Sequence, residues 1–161
     1  VRSSNLSTNI LIELVTPRAV QATIEELGTT HMKVVRGVED QKAYDAGISN
    51  VTTARDLMIL LRAMAQGAAF ERDASRDLAF QILAAQEFND MIPAQLPEGV
   101  RVGHKTGSIT RIFHDTAIVY APEGTYYLTI LTDGIEAADE AKPMIAALAR
   151  EVHDQWVALS P

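Results

Sequence analysis

The 161-residue sequence contains no cysteine, so disulfide bonds, thiolate metal sites and cysteine nucleophiles are all excluded. It also lacks any apolar run approaching the roughly 18–20 residues of a transmembrane helix. Basic residues are scattered and the formal net charge is -7, whereas nucleic-acid binding needs clustered lysine and arginine. The histidines show no metal-ligand spacing. We therefore expect no membrane span, no nucleic-acid partner, no metal and no other cofactor.

What is present is typical of a folded globular protein, since 47% of the residues are hydrophobic and 22% are charged. No internal repeat, low-complexity tract or linker interrupts the chain, so a single domain is predicted over residues 1–161. The apolar pattern predicts helices, then three consecutive β-prone runs joined by turns, then a last amphipathic helix. This order predicts an α+β fold, a mixed α/β sandwich in which helices flank an antiparallel sheet.

Caps, breaks and periodicity bound the predicted elements. Helices are predicted at residues 6–15, 17–27, 51–67, 72–86 and 137–159, and strands at 100–107, 112–121 and 125–134. Residues 31–35 are predicted to be extended, residues 36–50 to form an irregular loop, and residues 87–99 to be a connection. The fourth helix is predicted to face the core with Leu78, Ile82 and Leu83. The last helix is predicted to be amphipathic, with Ile145, Leu148, Val152 and Trp156 along its apolar side and Pro143 near its first turn.

Two short motifs suggest chemistry. The stretch GHKTGS at residues 103–108 combines a lysine, a threonine and a glycine beside the most strand-like region. Gly107 leaves room for a close approach to the backbone, while Lys105 and Thr106 suit recognition of an anion. A strand that simply turns at a glycine is the alternative. The second motif, Ser3-Ser4-Asn5, directly precedes the first predicted helix, where a helix N-cap is the alternative.

The Ser-x-Asn motif and the Lys-Thr-Gly motif about a hundred residues later together resemble two signatures of the serine penicillin-recognising enzymes, which include class A β-lactamases and D,D-peptidases. The segments NILIELV, NVTTARDL and HDTAIVYAPEG also resemble that family. The resemblance covers essentially the whole chain and is closest to the class A β-lactamase-like proteins. It implies a β-lactam or peptidoglycan-like substrate and a periplasmic or secreted location.

The resemblance also implies roles for individual residues. Ser3 would relay a proton to the leaving nitrogen of the substrate amide, and Asn5 would hydrogen-bond the substrate's side-chain amide. Lys105 would attract the substrate carboxylate and lower the potential near Ser3, while Thr106 would hydrogen-bond that carboxylate. The backbone at Ser108 would donate to an oxyanion. An extended substrate would pair along the same strand.

Departures from the family pattern limit these expectations. The family's nucleophile is a serine followed three residues later by lysine, and no Ser-x-x-Lys occurs in this sequence. Because that nucleophile lies upstream of Ser-x-Asn in the family, we expect this chain to be the C-terminal portion of a longer protein. An upstream segment, or association between copies, would then cover an exposed sheet edge and apolar surface.

The glutamate that activates the deacylating water in class A β-lactamases also has no counterpart at the aligned position of this sequence. Alignment without gaps from the Thr52-Thr53 pair puts the omega-loop glutamate of class A β-lactamases at Val38, and a one-residue shift brings in Glu39 or Asp40. Both are otherwise interpreted as solvated loop charges.

Arg111 is a candidate to assist carboxylate binding, with a solvated turn charge as the alternative. His114 and His104 are candidates to tune the anion site, because histidine changes charge near neutral pH, or are structural.

Three functions remain open at this point. The leading hypothesis is a β-lactamase-like serine hydrolase in which this chain supplies the Ser-x-Asn and Lys-Thr-Gly half of the site and is inactive alone. A D,D-peptidase or esterase is the second, because the omega-loop glutamate does not align. A non-catalytic binding module with the same fold is the third.

Overall fold

The computed structural model describes residues 1–160, which form helices and one three-stranded sheet. The helices are α1 (Asn5–Val15), α2 (Pro17–Glu26), α3 (Gln41–Asp45), α4 (Ala54–Ala65), α5 (Asp73–Ala84), a 3₁₀ helix (Ile92–Gln95) and α6 (Ala138–Leu159). The strands are β1 (Arg101–Ile109), β2 (Ile112–Ala121) and β3 (Gly124–Leu131). This confirms the predicted α+β class with an antiparallel sheet and helices.

The described residues group into two compact units. One unit comprises Ser3–Ala69, and the other comprises Val1–Arg2 together with the residues from Phe70 onward. The prediction of a single domain over residues 1–161 stays a prediction.

Helix caps in the Ser3–Ala69 unit follow the sequence signals. Thr16 caps α2 by accepting a hydrogen bond from the backbone of Ala19, with Pro17 at the first helical position. Gly28 follows α2 in the left-handed conformation (φ 96°) that glycine adopts without strain. Thr53 caps α4 by accepting from the backbone of Asp56. The predicted boundaries of both helices are thereby confirmed to within a few residues.

Residues 31–35, predicted to be extended, contain one bridge residue: Lys33 forms a single antiparallel bridge to Val51. One prediction in this unit is wrong in part. The segment predicted as an irregular loop contains the short helix α3, whose first turn is capped by Asp40.

The sheet of the second unit has the order β1-β2-β3, with antiparallel pairing throughout. The register places Thr106 opposite Asp115, Gly107 opposite His114 and Ser108 opposite Phe113. The turns between strands are two residues each, 110–111 and 122–123, and are shorter than the gaps of four and three residues between the predicted strands. Because β1 lies at one edge of this sheet, the Lys-Thr-Gly motif occupies an edge strand.

The core of the second unit lies between the sheet, α6 and the segment before β1. Its most buried members are Met91, Ile92, Ala117, Val119, Ala141, Ile145 and Ala149. Residues 87–99, predicted to be a connection, do join α5 to β1, but they also contribute to the core: Met91 and Ile92 are almost fully buried. Prolines at positions 93 and 97 obscured this segment, because it contributes through a 3₁₀ helix and has no helical period.

Four residues on the predicted apolar faces are solvent-exposed instead. Leu78 and Ile82 of α5 are 56% and 48% exposed, and Leu148 and Trp156 of α6 are 49% and 36% exposed, so these inward assignments are wrong. Periodicity identified an apolar face but could not say what packs against it. Pro143 is the sixth residue of α6, beyond the first turn. Among the described residues, no helix is long and apolar enough to cross a membrane.

Candidate active site

Only one of the three residues in the Ser-x-Asn motif caps α1. Ser4, the middle residue, is the N-cap of α1: its hydroxyl accepts from the backbone of Ser7 at 3.2 Å. Ser3 precedes the cap in the left-handed region (φ 52°), a conformation that is strained for a residue with a Cβ. Asn5 is the first helical residue. The capping alternative therefore applies to Ser4, and it does not account for Ser3 or Asn5.

Asn5 contacts one of the two acidic candidates in the following loop. Its Nδ2 donates to Oε1 of Glu39 at 2.7 Å. Glu39 has φ 62°, again in the left-handed region, so its backbone conformation is one that non-glycine residues adopt at an energetic cost. Asp40 instead uses its carboxylate to accept from the backbone of Ala43 at 3.0 Å as the cap of α3. The two neighbouring carboxylates thus have different contacts.

Asn9 holds the backbone just before Glu39, which the sequence interpretation missed. Its Nδ2 donates to the carbonyl of Val38 at 2.9 Å, and its Oδ1 accepts from the amide of Val38 at 2.7 Å. A Cβ at Gly37 would lie only 3.0 Å from Asn9 Oδ1, so the missing side chain permits this approach. The available signal was the spacing of Asn5 and Asn9, because residues four apart share a helix face.

Lys105 lies in the middle of β1. Its Nζ donates to the carbonyl of Thr106. Partial burial lowers the pKa of the Lys105 ammonium, and the negative charge of Asp115 acts in the opposite direction. Thr106 is buried on the other face of the strand, opposite Asp115. A partly desolvated ammonium interacts more strongly with an anion than a fully hydrated one.

Gly107 and Ser108 complete the motif at the sheet edge. A Cβ at Gly107 would meet only the Cβ of His114, at an ordinary 3.9 Å, and Gly107 does not have a positive φ. Neither backbone conformation nor packing within the described residues therefore requires glycine here. Ser108 is exposed on the same strand, which is consistent with a backbone group available to a ligand.

The remaining substrate-binding candidates have partners inside the protein. Arg111 lies in the β1–β2 turn with φ 61°; its Nε pairs with Glu136 at 3.0 Å and its Nη2 approaches the carbonyl of Gly134 at 3.5 Å. The Nδ1 of His114 accepts from the backbone of Thr132 at 3.2 Å. These contacts fit the structural alternatives for both residues, and their roles toward a ligand stay predictions.

A buried polar pair lies on the face of β1 that Thr106 shares. His104 Nδ1 is 2.9 Å from Oδ1 of Asp115, and these residues are 1% and 0% exposed. No group of His, Asp or Glu side chains within residues 1–160 is arranged to hold a metal ion.

Solved structures of class A β-lactamases and related proteins share this fold. PBP-A matches with a TM-score of 0.86 and 25% identity, over 98% of this chain and 58% of its own. The β-lactamase from Sphaerobacter thermophilus matches with a TM-score of 0.86 and 26% identity, over 99% of this chain and 60% of its own. A PBP-A variant solved as an acyl-enzyme complex with penicillin G matches with a TM-score of 0.86 and 25% identity, over 98% of this chain and 58% of its own.

The chain thus spans about 58–60% of the length of these solved structures. No curated protein matches it. The model of the β-lactamase enzyme family matches residues 1–156. The chain belongs to the β-lactamase enzyme family, as the Ser-x-Asn and Lys-Thr-Gly motifs indicated.

Proposed function

We propose that this chain is part of a β-lactamase-like serine hydrolase that cleaves β-lactam amides by acyl transfer. In this proposal Ser3 relays a proton to the leaving nitrogen, and Asn5 orients the substrate amide. Lys105 and Thr106 bind the substrate carboxylate, and the backbone at Ser108 donates to the oxyanion. The chain supplies the Ser-x-Asn and Lys-Thr-Gly half of the site, and the acylated serine is supplied by a polypeptide segment outside these 161 residues.

The hydrogen bond between Asn5 and Glu39 is the observation that best supports hydrolysis. It brings a carboxylate to the Ser-x-Asn motif, at the position reached by a one-residue shift of the omega-loop alignment. A carboxylate beside the substrate-orienting amide is suited to activate the water that releases the acyl group. We propose Glu39 for this role. Asp40 is the weaker candidate because its carboxylate caps α3.

A D,D-peptidase or esterase is the second candidate. The omega-loop glutamate of class A β-lactamases does not align with an acidic residue without a shift, and one matching solved structure is a PBP-A variant in an acyl-enzyme complex with penicillin G. In such a protein the acyl group would form and persist. A non-catalytic module that binds peptidoglycan-like ligands is the third candidate and would form no covalent adduct.

The proposal includes a periplasmic or secreted location, by family membership, and a partner for the apolar face of α1. Ile10, Leu11, Leu14 and Val15 are between 47% and 76% exposed. This supports a further polypeptide segment or a second copy covering them. Multi-angle light scattering tests this part of the proposal, and a monodisperse monomer without a second polypeptide would count against it.

The test of the activity joins this chain to the portion of the Sphaerobacter thermophilus β-lactamase that the match leaves uncovered, which is expected to contain the Ser-x-x-Lys nucleophile. Intact mass spectrometry after incubation with penicillin G is run on this chimera and on the 161-residue chain alone. The chain alone is expected to show neither adduct nor turnover. The folded chimera is expected to form an adduct and hydrolyse it.

Other outcomes favour the alternatives. A persistent adduct on the chimera would favour the peptidase or esterase. A chimera that unfolds cooperatively on heating but forms no adduct would favour the binding module. Steady hydrolysis by the isolated chain would overturn the half-site proposal.

A further inference from the structure

A buried histidine and a buried carboxylate lie next to the Lys-Thr-Gly motif and have no part in the function proposed above. His104 Nδ1 lies 2.9 Å from Oδ1 and 3.1 Å from Oδ2 of Asp115. Asp115 Oδ2 also accepts from the backbone amide of Ile92 at 3.0 Å. The pair therefore ties β1 and β2 to the 3₁₀ helix.

The other ring nitrogen of His104 faces Asn89. Asn89 Nδ2 donates to the carbonyl of Gln86 at 3.0 Å, which fixes the orientation of the amide. Its Oδ1 consequently faces His104 Nε2, at 3.1 Å. An amide oxygen only accepts, so His104 Nε2 must carry the hydrogen of this contact. At the opposite nitrogen, both oxygens of an ionised Asp115 also only accept.

We propose that His104 is an imidazolium, protonated at both ring nitrogens, that forms a buried ion pair with Asp115 and so acts as a positioning residue for Lys105. The geometry motivates this: while Asp115 is ionised, loss of either ring proton turns one of the two hydrogen bonds into a contact between two acceptors. The pair as a whole is then electrically neutral. The role toward Lys105 rests on the proposed function, because it takes Lys105 as the group that binds the substrate anion.

The position of Lys105 explains why neutrality of the pair matters. Lys105 follows His104 on β1 and points to the opposite face of the strand, while Asp115 pairs with Thr106. The negative charge of Asp115 acts through the sheet to raise the pKa of Lys105, and it also weakens the positive potential that this ammonium presents to a substrate anion. An imidazolium against Asp115 offsets that effect.

Few other charged groups bear on the pair. His114 precedes Asp115 on β2 and, by strand alternation, points to the other face of the sheet. Asp90 and Lys142, from the segment and the helix packed on this side, form an ion pair with each other at 2.6 Å and are partly exposed. Compensation of the negative charge of Asp115 therefore depends on a positive charge at His104.

The first test is long-range ¹H–¹⁵N NMR of the histidine rings in the unmodified 161-residue chain near neutral pH, because this spectrum distinguishes protonated from unprotonated ring nitrogens. His104 is expected to show two protonated nitrogens. His114 is the internal control: its Nδ1 accepts a backbone hydrogen bond, so that nitrogen is expected to be unprotonated. A His31→Gln variant and a His153→Gln variant assist assignment.

An unprotonated Nδ1 or Nε2 at His104 overturns the proposal. This includes the case in which the shared proton lies on Asp115, because the ring would then be neutral. The measurement needs no substitution at the pair, so instability of a variant cannot obscure it.

The second test follows the ¹³Cε resonance of Lys105 through its titration in three proteins. His104→Asn keeps a neutral donor beside Asp115 but removes the positive charge, so the pKa of Lys105 is expected to rise. Asp115→Asn removes the negative charge, so the pKa of Lys105 is expected to fall. Mere structural damage would expose Lys105 and raise its pKa in both variants, and that result contradicts the proposed role.

Failure of this inference and failure of the proposed function are distinguishable. The NMR measurements use no substrate, so an imidazolium at His104 stands even if the penicillin G chimera forms no adduct. Conversely, a neutral His104 leaves the acylation result untouched. If the variants do not fold, the ring-nitrogen spectrum of the unmodified chain still decides whether His104 is an imidazolium, and a neutral ring overturns the proposal.

Discussion

Asn5 Nδ2 donates to Glu39 Oε1 at 2.7 Å, although 33 residues separate the two along the chain. The contact joins the first residue of α1 to a loop residue in the left-handed conformation. Strained backbone of this kind persists only where surrounding contacts hold it, and it is enriched at functional sites. The relationship therefore links the Ser-x-Asn motif to a specific carboxylate.

We predict that Glu39→Gln slows release of the acyl group without preventing its formation. Glutamine keeps an oxygen that can accept from Asn5 but cannot take a proton from water at neutral pH. Loss of a general base lowers a rate by about 10²- to 10⁴-fold. In the penicillin G chimera, time-resolved intact mass spectrometry is expected to show an adduct that outlives that of the parent.

The matched control is the neighbouring carboxylate. Asp40→Ala removes the cap of α3 and is expected to cost about 1 kcal/mol of stability while leaving adduct lifetime unchanged. If Asp40→Ala prolongs the adduct and Glu39→Gln does not, the two residues have been assigned to the wrong roles.

Local signals explain which parts of the fold could be predicted. Caps such as Thr16 and Thr53 act over a few residues, and the boundaries of the helices that they begin agree with the predicted ones to within a few residues. Exposure of Leu78 and Ile82, and burial of Met91, depend on which distant elements pack there. A single sequence does not show directly which distant elements pack against a given apolar face.

The same distinction applies to the site. Lys-Thr-Gly is contiguous and could be found as a motif on a predicted strand. The choice between Glu39 and Asp40 could not be made, because it depends on one contact to α1 and one to α3. The network around His104 was missed for a similar reason, since its partners Asn89 and Asp115 come from separate segments.

Gly107→Ala is predicted to affect ligand approach more than stability. The added Cβ would meet only His114 Cβ at 3.9 Å, and the residue does not have a positive φ, so the change in unfolding free energy is expected to stay within about 0.5 kcal/mol. If the edge of β1 receives the substrate, acylation of the chimera by penicillin G is expected to slow. Thermal unfolding and adduct formation measure the two effects separately.

Gly103→Ala is the control for that substitution. Its Cβ would lie 3.4 Å from Leu83 Cβ of α5, so it is expected to lower the melting temperature more than Gly107→Ala does. Unchanged acylation in a folded Gly107→Ala chimera would argue against close substrate approach at Gly107.

Asn9→Ala is predicted to loosen the loop that holds Glu39. The substitution removes both hydrogen bonds to the Val38 backbone, at 2.7 and 2.9 Å, and a loss of about 1–3 kcal/mol is expected. Amide hydrogen exchange at Val38 is expected to accelerate. Thr23→Ala is a suitable comparison, since its hydroxyl bonds only within α2, to the carbonyl of Ala19. Equal acceleration at Val38 in both variants would show that Asn9 has no specific role.

The pKa of Asp56 leads to a prediction of how the stability of the protein depends on pH. Its carboxylate is buried and accepts from the backbone amides of Thr30 at 3.1 Å and His31 at 2.9 Å. Burial acts to raise the pKa of this carboxyl, but hydrogen bonds from the backbone of Thr30, His31 and Met32 and from the Thr53 side chain outweigh burial. The pKa therefore lies below its ordinary value of 3.8.

A lowered pKa means that the folded state holds the ionised form more strongly than the unfolded state does. The contribution of Asp56 is fully present above the ordinary carboxyl pKa and is lost as the pH falls through the lowered folded value. Asp56→Asn is expected to lower the melting temperature at neutral pH, because one backbone amide would then face an NH₂ group. Melting curves from roughly pH 7 to roughly pH 3 are expected to be flatter for Asp56→Asn than for the parent. A parent-like acid slope in Asp56→Asn would contradict the assignment.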